Sequence, residues 1–135
     1  MFQLKTYRQG MKIQKHSFFI LNKGLNSGKP MNEPCPNCFV CTCPTENEKQ
    51  KMYWLLFALW QSKEIEYQLI GSVIPFIRIR DLEKIIKQKA QEHILSAIQE
   101  HIPVLFDFQK KEQEFLKKSK QISLLKTSFL RSLVR

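Results

Sequence analysis

The sequence predicts an α+β domain: a small, largely antiparallel sheet with a buried central helix, followed by a mostly helical C-terminal arm. Three observations lead there. Short alternating or β-branched runs crowd the first 43 residues, a capped apolar run follows at residues 46–63, and from Val104 onward there is neither glycine nor proline.

Phe2, Leu4 and Thr6 alternate with polar residues, and residues 17–21 form a short aromatic and β-branched run, so both read as strands. Gly10 and Met11 between them suggest a hairpin reversal, and residues 24–30 (GLNSGKP) are loop by composition. Pro34, Pro36 and Asn37 make a turn before a strand at residues 39–43, which Pro44 closes. Thr45 and Glu48 then form a T-x-x-E capping box, so a helix starts at Glu46 and extends to Lys63. Met52, Leu55, Leu56, Leu59 and Trp60 share one face, and Tyr53, Trp54 and Phe57 cover much of the other, which requires burial on most sides. Gly71, Ser72 and Pro75 end this pattern. Residues 76–80 (FIRIR) alternate as a half-buried strand does, with Phe76 and Ile77 in the core and Arg78 and Arg80 on one face. Asp81 is the expected N-cap of a helix from Leu82, and Pro103 is expected to interrupt it. Phe108, Phe115, Ile122 and Phe129 recur every seven residues along the last helix, although Lys111 and Lys118 spoil a strict coiled-coil seam.

At 135 residues and 43% hydrophobic content the chain is expected to be one α+β domain, residues 1–102, plus a basic helical arm, residues 103–135. The first residues lack the apolar run of a signal peptide. The nine-residue run from Met52 to Trp60 is far short of the ~20 residues that span a bilayer, so the expectation is a cytoplasmic protein with no membrane partner. All four cysteines lie between Cys35 and Cys43, too close for a framework of long disulfide loops.

Four constellations bear on chemistry. The run from Gly24 through Gly28, Lys29 and Pro30 is one residue short of a phosphate-binding loop and has proline where a magnesium-holding Ser or Thr belongs. A glycine turn joining two strands accounts for it, with Lys29 kept as a phosphate contact. Cys35 and Cys38 form a C-P-x-C knuckle, and with Cys41 and Cys43 they are the candidate ligand set for zinc, with His16 as a further donor. A dithiol or ordinary buried thiols are the alternatives, and no other cofactor is implied. His93 and His101 read as surface residues. No histidine, cysteine and carboxylate form a catalytic set, so the protein is not expected to be an enzyme.

The remaining signal is charge. The net charge of +10 favours an acidic partner. Lys29, Arg78, Arg80, Lys110, Lys111, Lys117, Lys118 and Lys120 are the candidate nucleic-acid contacts, with Lys126, Arg131 and Arg135 extending the basic arm. Base readout wants Arg or Asn at a groove-facing edge, which singles out Arg78, Arg80, Asn22 and Asn26.

The runs LNKGLNSGKP, PCPNCFV, YWLLFALWQSK and LIGSVIPFIRIRDL resemble an uncharacterised family of small proteins of Bacteroidetes-type bacteria, often encoded near mobile elements, over residues 2 to about 86. That resemblance carries no assigned activity. More distantly, the Gly-Ser loop followed by I-P-F-I-R-I-x-D-L resembles the end of a target-recognition domain in type I restriction specificity subunits, where a long spacer and docking helix follows. This chain departs from that pattern in having one such unit, a shorter N-terminal part, and EKIIKQKAQE after the D-L. The expectation is therefore non-enzymatic binding of nucleic acid, DNA favoured, in the setting of a mobile element or defence system. The alternatives are a protein-interaction or self-association module that uses the basic C-terminal helix, and a zinc-stabilised protein of unknown ligand.

Overall fold

The computed structural model describes residues 2–135. Four strands, β1 (Gln3–Thr6), β2 (Ser17–Leu21), β3 (Pro30–Met31) and β4 (Cys38–Thr42), form one antiparallel sheet in the order β1-β4-β2-β3. Three helices follow: α1 (Glu46–Gln61), α2 (Ile79–Lys89) and α3 (Glu92–Leu133). The chain forms two compact units, one ending at Glu100 and the other His101–Arg135.

Strand order departs from the expected hairpin of the first two strands. β4 lies between β1 and β2, pairing Leu4 with Cys41 on one edge and Phe18 with the same Cys41 on the other. Both neighbours run antiparallel to β4, so β1 and β2 are parallel to each other and residues 7–16 must cross over. The crossing link has a packing role. Phe19, Cys38 and Val40 form an apolar patch on one face of the sheet, and Tyr7 and Met11 from the link pack on it together with Met31 and Cys35. A tight hairpin would leave only Met31 and Cys35 to cover that patch.

The opposite face carries the main core. Phe18 and Cys41 are cross-strand neighbours there, as are Ile20 and Phe39, and all four are buried. Phe18 meets Tyr53 of α1 edge to face, with ring centroids 5.6 Å apart. The α1 start is the one the capping residues dictate: Thr45 Oγ1 accepts from the Glu48 amide at 3.1 Å. Its end comes two residues before Lys63. Lys63 adopts φ 63°, donating its amide to Trp60 O while Glu64 donates to Leu59 O, the pair of bonds that defines a Schellman termination. Met52, Trp54, Leu55, Leu56 and Leu59 are buried as expected, whereas Phe57 is only half-buried.

The segment after α1 corrects the expected strand at residues 76–80. Phe76 and Ile70 exchange backbone hydrogen bonds in an isolated bridge, and the Ile77 amide donates to Asn22 O, but extended structure stops there. Helix α2 starts at Ile79 with Arg78 as its N-cap residue, because Leu82, Ile85 and Ile86 continue from Ile79 at helical spacing and are buried. Asp81 therefore lies in the first turn rather than at the cap. Phe76, expected in the core, is 39% exposed. Pro103 does not end a helix either: α3 runs through it, and the break falls at Ala90 and Gln91. Pro103 and Gln99 are both exposed, so water can satisfy the Gln99 carbonyl that loses its helical donor.

Candidate nucleic-acid interface

Lys29 is positioned by the loop between β2 and β3. Leu21 donates its amide to Lys29 O and Gly28 donates to Leu21 O, closing the loop over residues 22–28 as the glycine turn expected there. Gly28 has φ +99°, and a side chain there would begin 2.6 Å from Ile65 Cδ1. The backbone comes this close to a fully buried isoleucine only because the residue is glycine. Lys29 Nζ sits 5.2 Å from the Trp60 ring centroid, a cation–π contact. Beside Trp60, an open cleft of about 370 Å³ is lined by Asn26, Ser27, Lys63 and Glu66. Asn26 is thus exposed on this cleft, whereas the Asn22 backbone is used on both sides, donating to Asn37 O and accepting from Ile77.

Arg78 and Arg80 do not share the face of a strand. Arg78 Nε donates to Asp81 Oδ2 at 2.8 Å, which ties its guanidinium to the first turn of α2. Arg80 is exposed, and one and two turns further along the helix come Lys84 and Lys87, also exposed. These three cations, with Glu83 and Gln88, line a shallow surface of about 480 Å³, where Lys87 lies 3.7 Å from Glu83. Sequence reasoning missed Lys84 and Lys87. Their i, i+4, i+7 spacing from Arg80 was available, but it means nothing while Arg80 is assigned to a strand.

In the unit His101–Arg135 the five candidate lysines of the arm are all exposed. Lys111 lies 3.0 Å from Asp107 one turn back, so part of its charge is compensated. Lys118 sits 5.9 Å over the Phe115 ring. Among the described residues no ion pair holds Lys110, Lys117, Lys118 or Lys120. The same helix exposes large apolar side chains, including Phe108, Phe115, Ile122 and Phe129 at 63–70%.

The cysteines do not assemble into one site. Cys38 packs with Phe19 and Val40 on one face of the sheet, and Cys41 lies on the opposite face, paired across from Phe18. Three residues apart on a strand puts side chains on opposite faces, so Cys35 and Cys38 cannot share a tetrahedral ion with Cys41 and Cys43. His16 is no donor to the first pair: its Nδ1 lies 3.0 Å from Glu46 Oε2, and its carbonyl accepts from the Cys43 amide. Among the described residues no three His, Cys, Asp or Glu side chains are grouped as a metal would need. A hydrogen bond to Cys43 and then burial push the Cys41 thiol far up, and burial raises Cys38, which leaves both as neutral thiols. All four are free.

Among the described residues no helix is long and apolar enough to cross a membrane. The chain belongs to the Family of unknown function (DUF6943), whose model matches residues 4–132, nearly the whole of both units. No curated protein and no solved structure matches it.

Proposed function

We propose that this protein is a non-enzymatic nucleic-acid-binding protein, duplex DNA being the favoured form, that acts in the setting of a mobile element or defence system. One observation carries this reading. Residues 115–135 hold Lys117, Lys118, Lys120, Lys126, Arg131 and Arg135 and no acidic side chain, and all six cations are exposed. Lys110, Lys117 and Arg131 are separated by multiples of seven, so they follow one line along the helix, and cations held in a row displace the counterions of a polyanion. In the first unit, Arg80, Lys84 and Lys87 on α2 give a second, shorter row, where Arg80 is the candidate for a base contact. The arm then supplies affinity that is indifferent to sequence, and α2 supplies any preference. A long helix after the domain is also what the likeness to restriction specificity subunits implies.

Fluorescence anisotropy against unrelated duplexes near physiological salt tests this. Measurable binding whose preference among duplexes shifts in Arg80→Gln supports the reading. Binding that is absent, or weak and identical on every duplex in parent and variant, overturns it.

A second reading, a protein-interaction module, is favoured by a separate observation: the exposed apolar side chains that recur at seven-residue intervals on the other side of the arm.

A further inference from the structure

We infer that the apolar face of the arm is the seam of an antiparallel homodimer whose twofold axis passes at Ser119. This rests on the protein-interaction reading and names the partner as a second copy of the chain; nucleic-acid binding stands or falls separately.

Two helices packed side by side bring every seventh residue onto one line. In the arm the central line of the apolar face is Leu105, Glu112, Ser119, Lys126 and Leu133. Phe108, Phe115, Ile122 and Phe129 flank it on one side, and Leu116 and Leu130 on the other. Apart from half-buried Leu105, these apolar residues are 53–70% exposed. A parallel pair would set Glu112 against Glu112 and Lys126 against Lys126 in the middle of the seam, two like-charge contacts.

Reversing the second helix about Ser119 changes each of these contacts. Glu112 and Lys126 lie seven residues to either side of Ser119, so each Glu112 meets the Lys126 of the other copy, twice per dimer. Leu105 and Leu133 lie fourteen residues to either side and meet in the same way. Ser119 meets itself on the axis, where only a small side chain suits the close approach. In the flanking line Phe108 falls beside Phe129, and Phe115 beside Ile122, each within one residue of level. A single register thus pairs opposite charges and joins the apolar ends.

The area is adequate. With 63, 70 and 64% of Phe108, Phe115 and Phe129 exposed, three rings of about 150–250 Å² each offer roughly 300–500 Å² per copy. The five aliphatic side chains of the face add a comparable amount, which reaches the about 800 Å² per partner of an ordinary stable interface. Lys110, Lys117 and Arg131 lie on the far side of the helix from the seam, so the dimer keeps these cations free for a polyanion and engages only Lys126 of the basic set.

The experiment is sedimentation equilibrium on the full chain over a dilution series, under reducing conditions. The parent is expected to dimerise. Lys126→Glu replaces two attractive contacts by two repulsive ones and is expected to weaken the dimer by about tenfold or more. Glu112→Lys combined with Lys126→Glu is expected to restore it. Both positions are exposed, so the variants leave the fold intact, which circular dichroism verifies. A monomer at every concentration overturns the proposal, as does a dimer indifferent to Lys126→Glu or a double variant that is not restored. A monomer that instead sediments with phosphatidylserine vesicles assigns the apolar face to lipid and equally overturns it. A monomer that still binds duplex in the anisotropy assay sinks the dimer and leaves nucleic-acid binding intact.

Discussion

Replacing Gly28 with alanine should destabilise the first unit by about 2–6 kcal/mol, a sum of two separable costs. An L side chain at φ +99° carries backbone strain of about 1–3 kcal/mol. The new methyl would also stand 2.6 Å from Ile65 Cδ1 and 2.8 Å from Ile65 Cγ2. Ile65 is fully buried and has no solvent to move into, so overpacking adds about 1–3 kcal/mol. Ile65→Ala removes both clashing atoms, at a cost of about 2–5 kcal/mol for its own cavity. In that background Gly28→Ala should therefore cost only the backbone part. Urea melts of the four proteins close the cycle, with an expected coupling of about 1–3 kcal/mol. A neutral Gly28→Ala, or strictly additive losses, would refute the close approach of this loop to Ile65.

Leu55→Ala and Leu59→Ala, both at buried α1 positions, should each cost about 2–5 kcal/mol in denaturant melts; parental stability in both would show that α1 does not organise the core. Lys63→Gly should stabilise the protein by about 0.5–1 kcal/mol, because glycine enters the left-handed termination of α1 without the penalty lysine incurs, and thermal unfolding reads the gain. Glu46 is held below the usual carboxylate range mainly by the hydrogen bond from His16, and Glu48 mainly by Lys51. A depressed carboxylate lends stability above its unfolded pKa that is lost as pH falls through the folded one. The Glu46→Gln, Glu48→Gln double variant should accordingly show a shallower loss of stability than the parent as pH falls through and below the usual carboxylate range. Truncation after Ile102 should leave a cooperatively melting fragment, and aggregation of that fragment would show that the arm supplies core.

What the sequence disclosed is what local physics decides. The Thr45 cap and the dense apolar run fixed where α1 begins and which side chains it buries, since both depend on neighbours within a few residues. Strand order did not come through, because inserting β4 between β1 and β2 is a non-local choice driven by covering Phe19, Cys38 and Val40. The FIRIR run was misread for a narrower reason. Five residues cannot separate a period of 2 from one of 3.6, and the deciding residues, Leu82, Ile85 and Ile86, lie downstream. That error carried the arginine pair with it and hid Lys84 and Lys87. For the cysteines, an odd separation between Cys38 and Cys41 on one strand puts them on opposite faces, which favours ordinary buried thiols over a shared zinc. The arm lysines were legible as charge, and the structure adds that they are exposed on one long helix, Lys118 sitting over the Phe115 ring.

The central claim is that arm lysines contact phosphate, and the dependence of duplex affinity on salt tests it most directly. Four to six contacts displace enough condensed counterions to give a log–log slope of about −4 to −5. Replacing Lys117, Lys118 and Lys120 with glutamine should flatten that slope by about 2.7, at −0.9 per lost contact. A parent that does not bind near physiological salt, or a triple variant whose slope matches the parent's, would contradict the account.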